Sequence, residues 1–404
     1  MTHSPAPASE AAGSGWRRFA RTHWAGDPVV VADAPGIGVA AAEAHALLVA
    51  AAARPGQACL TTSDALLPAP GRLLPGPGDP DTAAYVRRMA GEPELAGDGW
   101  LLTATDPLAH DFGLWARVRD VLDGLWRHVG RPALPVTAEL AVGDRHHTPD
   151  RTGGRADTAG LTWVLDGSLT VRVRPEHTGT EFVLHARAGD LVHWPAGSHH
   201  LDQRTGPCTT LRLSVPARRS AALPYVSEVL GALLRDDAGP SPRRRPLPRP
   251  EPAAPDGRLA VPAPLRDCAD LLRRTLAGRA PERALLLRWA ALRSAAGLDP
   301  APPPRPGIAL APAHRLRRVT EIVRVADGAD GPVWAANGHA WPVPSAASER
   351  LLAPLRAARS GITVAELARA ARLRPASPEL TGPLDALYRA RAVDVDPDPG
   401  AGRP

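Results

Sequence analysis

Between Ala133 and Pro216 the apolar residues come in short runs separated by turn residues, a texture of strands. Leu161-Thr162-Trp163-Val164-Leu165 runs into Asp166-Gly167, and Leu169 to Val173 follows in alternation, which predicts a hairpin turning at Asp166-Gly167. Glu181 to Leu184, Leu191 to Trp194 and Thr209 to Val215 extend the series, and strands this short and close predict a barrel or sandwich. The stretch before it, Trp16 to about Pro132, is mixed. Val29-Val30-Val31 reads as a short strand, Val39 to Ala53 as a helix ending at Pro55-Gly56, and Leu114 to His128 as a helix with apolar positions at helical spacing. Beyond the barrel, Pro281 to Ala296 carries the Leu285, Leu286, Trp289, Leu292 stripe of a core-facing helix. Helices over Ser345–Ala358, Thr363–Ala371 and Pro383–Arg391 and a strand at Ala392–Val395 give the outline of a winged helix.

With 404 residues, the chain has room for two or three domains. The expected division is a disordered N-terminus (1–15), a barrel domain with a helical N-terminal part (16–235), a Pro/Arg-rich linker (236–262), a helical region (263–342) and a winged-helix-like domain (343–404). The linker contains Pro-Ser-Pro-Arg-Arg-Arg-Pro-Leu-Pro-Arg-Pro-Glu-Pro, which cannot build a packed core and reads as an extended spacer.

Composition narrows the chemistry. All the side chains counted as Lys or Arg are arginine, so a Schiff-base enzyme and a Walker-type phosphate loop are excluded. An anion must be held by arginine, a hydroxyl, histidine or backbone amides. Cys59, Cys208 and Cys268 lie far apart without a CxxC spacing, which argues against a disulfide framework or a zinc-thiolate site. No leader and no long apolar run stand out, so a cytoplasmic protein away from membranes is expected. The net charge of +6 makes no case for nucleic acid, and the second helix of the winged-helix outline offers only Arg369 and Arg372 beside Glu366.

The most specific signal is Gly189-Asp190-Leu191-Val192-His193-Trp194-Pro195-Ala196-Gly197-Ser198-His199-His200. It has the form of the second cupin motif, a glycine, five residues, then Pro-x-Gly-x-x-His. A strand entered through a Gly-Asp turn and left through a Pro-x-Gly turn aims the following histidine into a barrel mouth. By strand alternation His200 then points inward and His199 outward. Phe19, Trp24 and Pro28-Val29-Val30 precede it, and the order of barrel, helical region and winged helix follows. In this layout the chain resembles the JmjC-type ribosomal oxygenases of the cupin-4 group.

The resemblance implies an α+β fold, a double-stranded β-helix (cupin/JmjC) barrel followed by a helical dimerisation region and a winged-helix domain. It also implies an iron(II) and 2-oxoglutarate dependent hydroxylase acting on a protein, peptide or amino-acid-derived substrate, with a homodimer as the assembly. Iron in such a site needs two histidines and one carboxylate. Counting back from Gly167 to the family's His-x-Asp position gives Arg155-Ala156-Asp157. Asp157 suits the carboxylate, but a guanidinium cannot bind a metal. The implied ligands are therefore Asp157 and His200, with His147, or His146, as the third. Alternatively the iron site is lost. His146 and His147 read equally as polar loop residues, and Asp157 as a carboxylate paired with Arg155. His185 and His193 read as surface or wall residues. The implied 2-oxoglutarate contacts are Arg212, Arg172 and Thr162, although an arginine on the outer barrel face explains each guanidinium as simply.

Two further functions stay open. A metal-free cupin could bind a peptide or partner, Arg155 pairing an acidic ligand where iron would sit. A regulator could sense a small molecule in the barrel and contact DNA through the winged helix, which the sparse charge on the second helix argues against.

Overall fold

The structure is a computed structural model that describes residues 8–32, 34–62, 65–67, 70–95, 99–148, 157–237, 263–325, 331–358 and 360–396. It divides into two units, residues 1–218 with 290–404, and residues 219–289.

The first unit opens with helix α1 (Ala8–Thr22), which starts inside the segment expected to be disordered and buries Trp16 and Phe19. Strand β1 (Val29–Val31) and helix α2 (Ala41–Ala52) follow where the apolar pattern places them. Next come β2 (Ala58–Thr62), β3 (Leu66–Leu67), helix α3 (Thr82–Ala90), β4 (Trp100–Thr105) and helix α4 (Phe112–Val129). Asp111 caps α4 by accepting the Leu114 amide at 2.9 Å, satisfying a donor that the first turn would leave orphaned.

The strand-rich stretch holds β5 (Thr137–Asp144), β6 (Thr158–Pro175), β7 (Phe182–Arg187), β8 (Leu191–Trp194), β9 (Ser198–Gln203) and β10 (Cys208–Pro216). All pair antiparallel in the order β1-β8-β6-β10-β5-β4-β2-β3, with β7 and β9 joined to β6. The hairpin expected at Asp166-Gly167 does not form. Instead β6 runs straight through, its first half paired with β8 and β10 and its second half, from Ser168, with β7 and β9. Gly167, at φ +75°, makes the bend, and a Cβ there would meet the Pro207 carbonyl oxygen at 2.0 Å. Glycine is the residue that permits both the positive φ and the close backbone approach.

The bend turns one strand into two sheets that face each other. On the outside, Leu161, Trp163, Leu211 and Leu213 pack with the helical layer of α1, α2 and α4. Between the sheets, Val164, Val171, Val173, Val192, Trp194 and Cys208 form a separate apolar cluster. This inner space is the cup that the sequence motif addresses.

Helix α5 (Ala222–Asp237), α6 (Ala263–Ala277) and most of α7 (Ala280–Ser294) make the second unit, in which α5 packs on α6. Most of the linker expected at 236–262 lies outside the described residues. Among the described residues of this unit no apolar side chain is buried, and Leu223, Leu265, Leu272, Leu276 and Trp289 are exposed.

The C-terminal part of the first unit is not purely helical up to residue 342, as the pattern suggested. It contains β11 (Arg315–Arg318), β12 (Val323–Val325), β13 (Val333–Ala336) and β14 (His339–Pro342). Helices α8 (Ala346–Glu349) and α9 (Leu352–Ala357) follow, then β15 (Ile362–Thr363), α10 (Val364–Ala371), α11 (Pro378–Arg389) and β16 (Val393–Asp396). Strands β15-β11-β16 form one sheet and β12-β13-β14 another, around a core that includes Leu316, Trp334, Leu367, Leu384 and Val393. Thr363 and Glu366 close a capping box on α10. Among the described residues no helix is long and apolar enough to cross a membrane.

Candidate functional site

The Pro-Ala-Gly corner does what its residues require. Gly189 and Gly197 take φ of +94° and +86°, β8 occupies the four residues expected of it, and β9 leaves the corner at Ser198. Along β9 the side chains alternate. His199 is exposed, whereas Ser198, His200 and Asp202 are buried, and Arg204 just beyond the strand is 1% exposed. Every inward position of this strand is therefore polar or charged.

Facing β9 across the cup stand β8 and β10. The Trp194 ring lies 4.3 Å from the His200 ring, and the Arg212 guanidinium lies 5.1 Å from the Trp194 ring. Arg212 is bound on three sides: Nε donates to Thr162 Oγ1 at 3.0 Å, Nη2 to Asp202 Oδ2 at 2.6 Å, and Nη1 to His200 Nε2 at 3.4 Å. Glu139, half-buried and opposite Arg212 on β5, favours its charge through space. Arg204 donates through Nη2 to Thr210 Oγ1 at 3.1 Å and places Nη1 3.6 Å from the same Asp202 oxygen.

The electrostatics follow from burial and these pairs. Burial alone would raise the Asp202 carboxyl, but the Arg212 and Arg204 guanidiniums outweigh it and hold it at about 2. Burial, with Arg212 beside it, lowers His200 to about 4, so its imidazole is neutral near pH 7 and Nε2 can accept from Arg212. His146, buried next to Arg204 at the end of β5, is likewise lowered to about 4, chiefly by burial.

Of the residues singled out from the sequence, the fold gathers His200, Arg212 and Thr162 in the cup. Arg172 is exposed on the outer face and pairs with Glu181 at 3.5 Å. His147 is exposed and bridges to Gln203. Asp157 is half-buried just before β6, where its carbonyl accepts the Ala217 amide at 3.1 Å. The charged groups acting on His200 are Arg212, Asp202 and His199, and Asp157 is not among them. Arg155 lies outside the described residues. His185 is a surface residue bonded to Thr170, and His193 is a fully buried wall residue stacked on Trp24. Asp202, Arg204 and Thr210 escaped the sequence reading. The signal that could have found them is the period-two row Ser198, His200, Asp202, Arg204, polar on a strand's inner face.

These side chains do not fit an iron site. Among the described residues no group of three or more His, Cys, Asp or Glu is placed to hold a metal ion. His200 Nε2 already faces a guanidinium, and the nearby carboxylate is shared by two. A divalent ion about 5 Å from the Arg212 charge would be repelled by on the order of 6 kcal/mol at an effective dielectric near 20. A guanidinium cannot relieve this by losing its proton.

Solved structures of similar layout exist. YcfD of Escherichia coli, a ribosomal oxygenase, in complex with cobalt and 2-oxoglutarate is 16% identical, with 95% of this chain and 98% of that chain covered and a TM-score of 0.48. Its complex with cobalt and succinic acid gives 16%, the same coverage and a TM-score of 0.47. The chain resembles the JmjC-type ribosomal oxygenases. At this identity and TM-score the likeness carries no residue's role and no activity from YcfD to this chain. The EutQ protein of Clostridium difficile is similar over a smaller stretch, 15% identical, covering 23% of this chain and 62% of that chain at a TM-score of 0.17. No family model and no curated protein matches the chain.

Proposed function

We propose that this protein is a metal-free cupin-type binding protein, whose barrel takes an acidic group of a peptide, partner or small molecule on guanidinium charge. One observation carries the reading. Arg204, which is buried, and Arg212, which is half-buried, share the buried carboxylate of Asp202 in a cup where His200 is neutral. A charge held away from water is costly unless it is paired and hydrogen-bonded, and because Glu139 reaches Arg212 only through space, the two guanidiniums have one ion-pair partner between them, which favours an anion. Arg212 is oriented by Thr162 and Asp202 before any ligand arrives. Such pre-ordering reduces the entropy lost on binding.

The alternative is the iron(II) and 2-oxoglutarate dependent oxygenase, with His147, Asp157 and His200 as ligands. One observation favours it: Arg212 and Thr162 meet inside the cup, and an arginine beside a hydroxyl suits the distal carboxylate of 2-oxoglutarate. The two readings part on metal. Purified protein should contain no stoichiometric iron, and anaerobic titration with iron(II) and 2-oxoglutarate should give no visible charge-transfer band. A band, or metal near one equivalent, refutes the binding reading. We further propose a homodimer joined through the helical unit, whose leucines are open to solvent.

A further inference from the structure

A cavity of about 280 Å³ opens in the first unit where α4, the end of α7 and the connection between β11 and β12 converge, and none of the cup residues lines it. Drug-sized ligands usually occupy roughly 300–1,000 Å³, so this space suits a small molecule. Its walls are charged, and most of that charge is already paired. Arg119 donates through Nε to Asp120 at 2.9 Å and through Nη1 to Thr320 Oγ1 at 3.4 Å. Arg131 Nη2 stands 2.6 Å from Asp123. Two lining charges are left over, Arg293 at the end of α7, half-buried, and Glu321 in the connection, exposed. Among the described residues, neither side chain enters a hydrogen bond or an ion pair, with the other or with any third group.

The cavity therefore carries a free guanidinium and a free carboxylate that are too far apart to pair. A ligand of one sign would match one of them and face repulsion from the other. A molecule bearing both signs matches each, its carboxylate on the planar fork of Arg293 and its ammonium on Glu321. Val319, which is 44% exposed, Val323 and Ala296 line the same space and offer apolar surface to a carbon chain. We propose that this cavity binds an aliphatic α-amino acid as its zwitterion, held at its two charged ends by Arg293 and Glu321. The site is separate from the cup and does not depend on the acidic-ligand reading.

Isothermal titration calorimetry of the full chain tests the assignment, with three probes of similar carbon skeleton. L-Leucine carries both charges, isocaproate lacks the ammonium, and isoamylamine lacks the carboxylate. Wild type should bind leucine with a millimolar or lower Kd and each analogue at least about tenfold more weakly, because each leaves one wall charge unmatched. Arg293→Gln and Glu321→Gln should each raise the Kd for leucine by about tenfold or more. Glu321 is exposed and bonds to nothing described, so Glu321→Gln keeps the fold even if Arg293→Gln does not. Leucine affinity unchanged in both variants places the amino acid elsewhere and overturns the site. Isocaproate or isoamylamine binding as tightly as leucine overturns the zwitterion class. No leucine binding by wild type at millimolar concentration overturns both, and none of these outcomes bears on the cup.

Discussion

Replacing Asp202 with Asn tests the ion-pair network most directly, because it removes the buried carboxylate that both Arg204 and Arg212 approach and leaves the two guanidiniums without it. The structure sets the magnitude. The Asp202 carboxyl is held at about 2 against an ordinary 3.8, so its ionised form gains about 2 kcal/mol from folding. Breaking a buried pair by removing one partner commonly costs about 3–5 kcal/mol, since the other charge stays buried. Asp202→Asn should therefore lower unfolding free energy near pH 7 by about 2–5 kcal/mol, read by urea titration followed through tryptophan fluorescence. The pH dependence has a definite sign. A depressed carboxyl contributes stability that is full above about 3.8 and is lost as pH falls toward about 2. Wild type should lose that increment over this window, and Asp202→Asn should lack it. A variant as stable as wild type at pH 7, or one with the same fall in acid, would refute the network as the support of the cup.

Three further outcomes follow from other parts of the fold. A Cβ on Gly160 would lie 2.2 Å from the Trp194 ring, so Gly160→Ala should cost about 1–3 kcal/mol and displace the ring that lies against His200, measured as a lower melting temperature. Asp106 sits at φ 52° with its carboxyl raised to about 6, first by burial and then by Asp299. Its contribution is present below about 3.8 and lost as pH rises through about 6, and Asn also tolerates the left-handed backbone. Asp106→Asn should thus stabilise the protein at pH 8 by about 1–2 kcal/mol, the partly exposed site being discounted for screening, with little gain at pH 4. Light scattering of the full chain should give twice the chain mass, and Leu272→Glu combined with Leu276→Glu should return it to the monomer. A wild-type monomer at micromolar concentration would dismiss the dimer.

The legible features were those with local causes. The run Leu191 to Trp194 between a Gly-Asp turn and a Pro-x-Gly turn dictated β8, the positive φ at Gly189 and Gly197, and the inward aim of His200, because turn chemistry and two-residue alternation act within a few residues. Helices α2 and α4 were legible for the same reason, through apolar spacing and the Pro55-Gly56 stop after α2. The Asp166-Gly167 pair misled, since glycine at positive φ suits both a reversal and a bend. The bend is favoured here by the pairing that β7, β8, β9 and β10 offer to the two halves of β6.

The sequence by itself determined β1, β8 and the strand character on both sides of Asp166-Gly167, it aimed His200 inward, and it placed Arg212 and Thr162 among the candidates. Only the tertiary structure decided what those side chains meet. Asp202 and Arg212 are ten residues apart in sequence and on different strands, and their 2.6 Å pair exists because β9 and β10 both register against β6 from opposite sides of the cup. Alternation fixes direction along one strand, but it contains no information about the partner across the gap. That partner turns a histidine with the spacing of a metal ligand into the acceptor of a guanidinium.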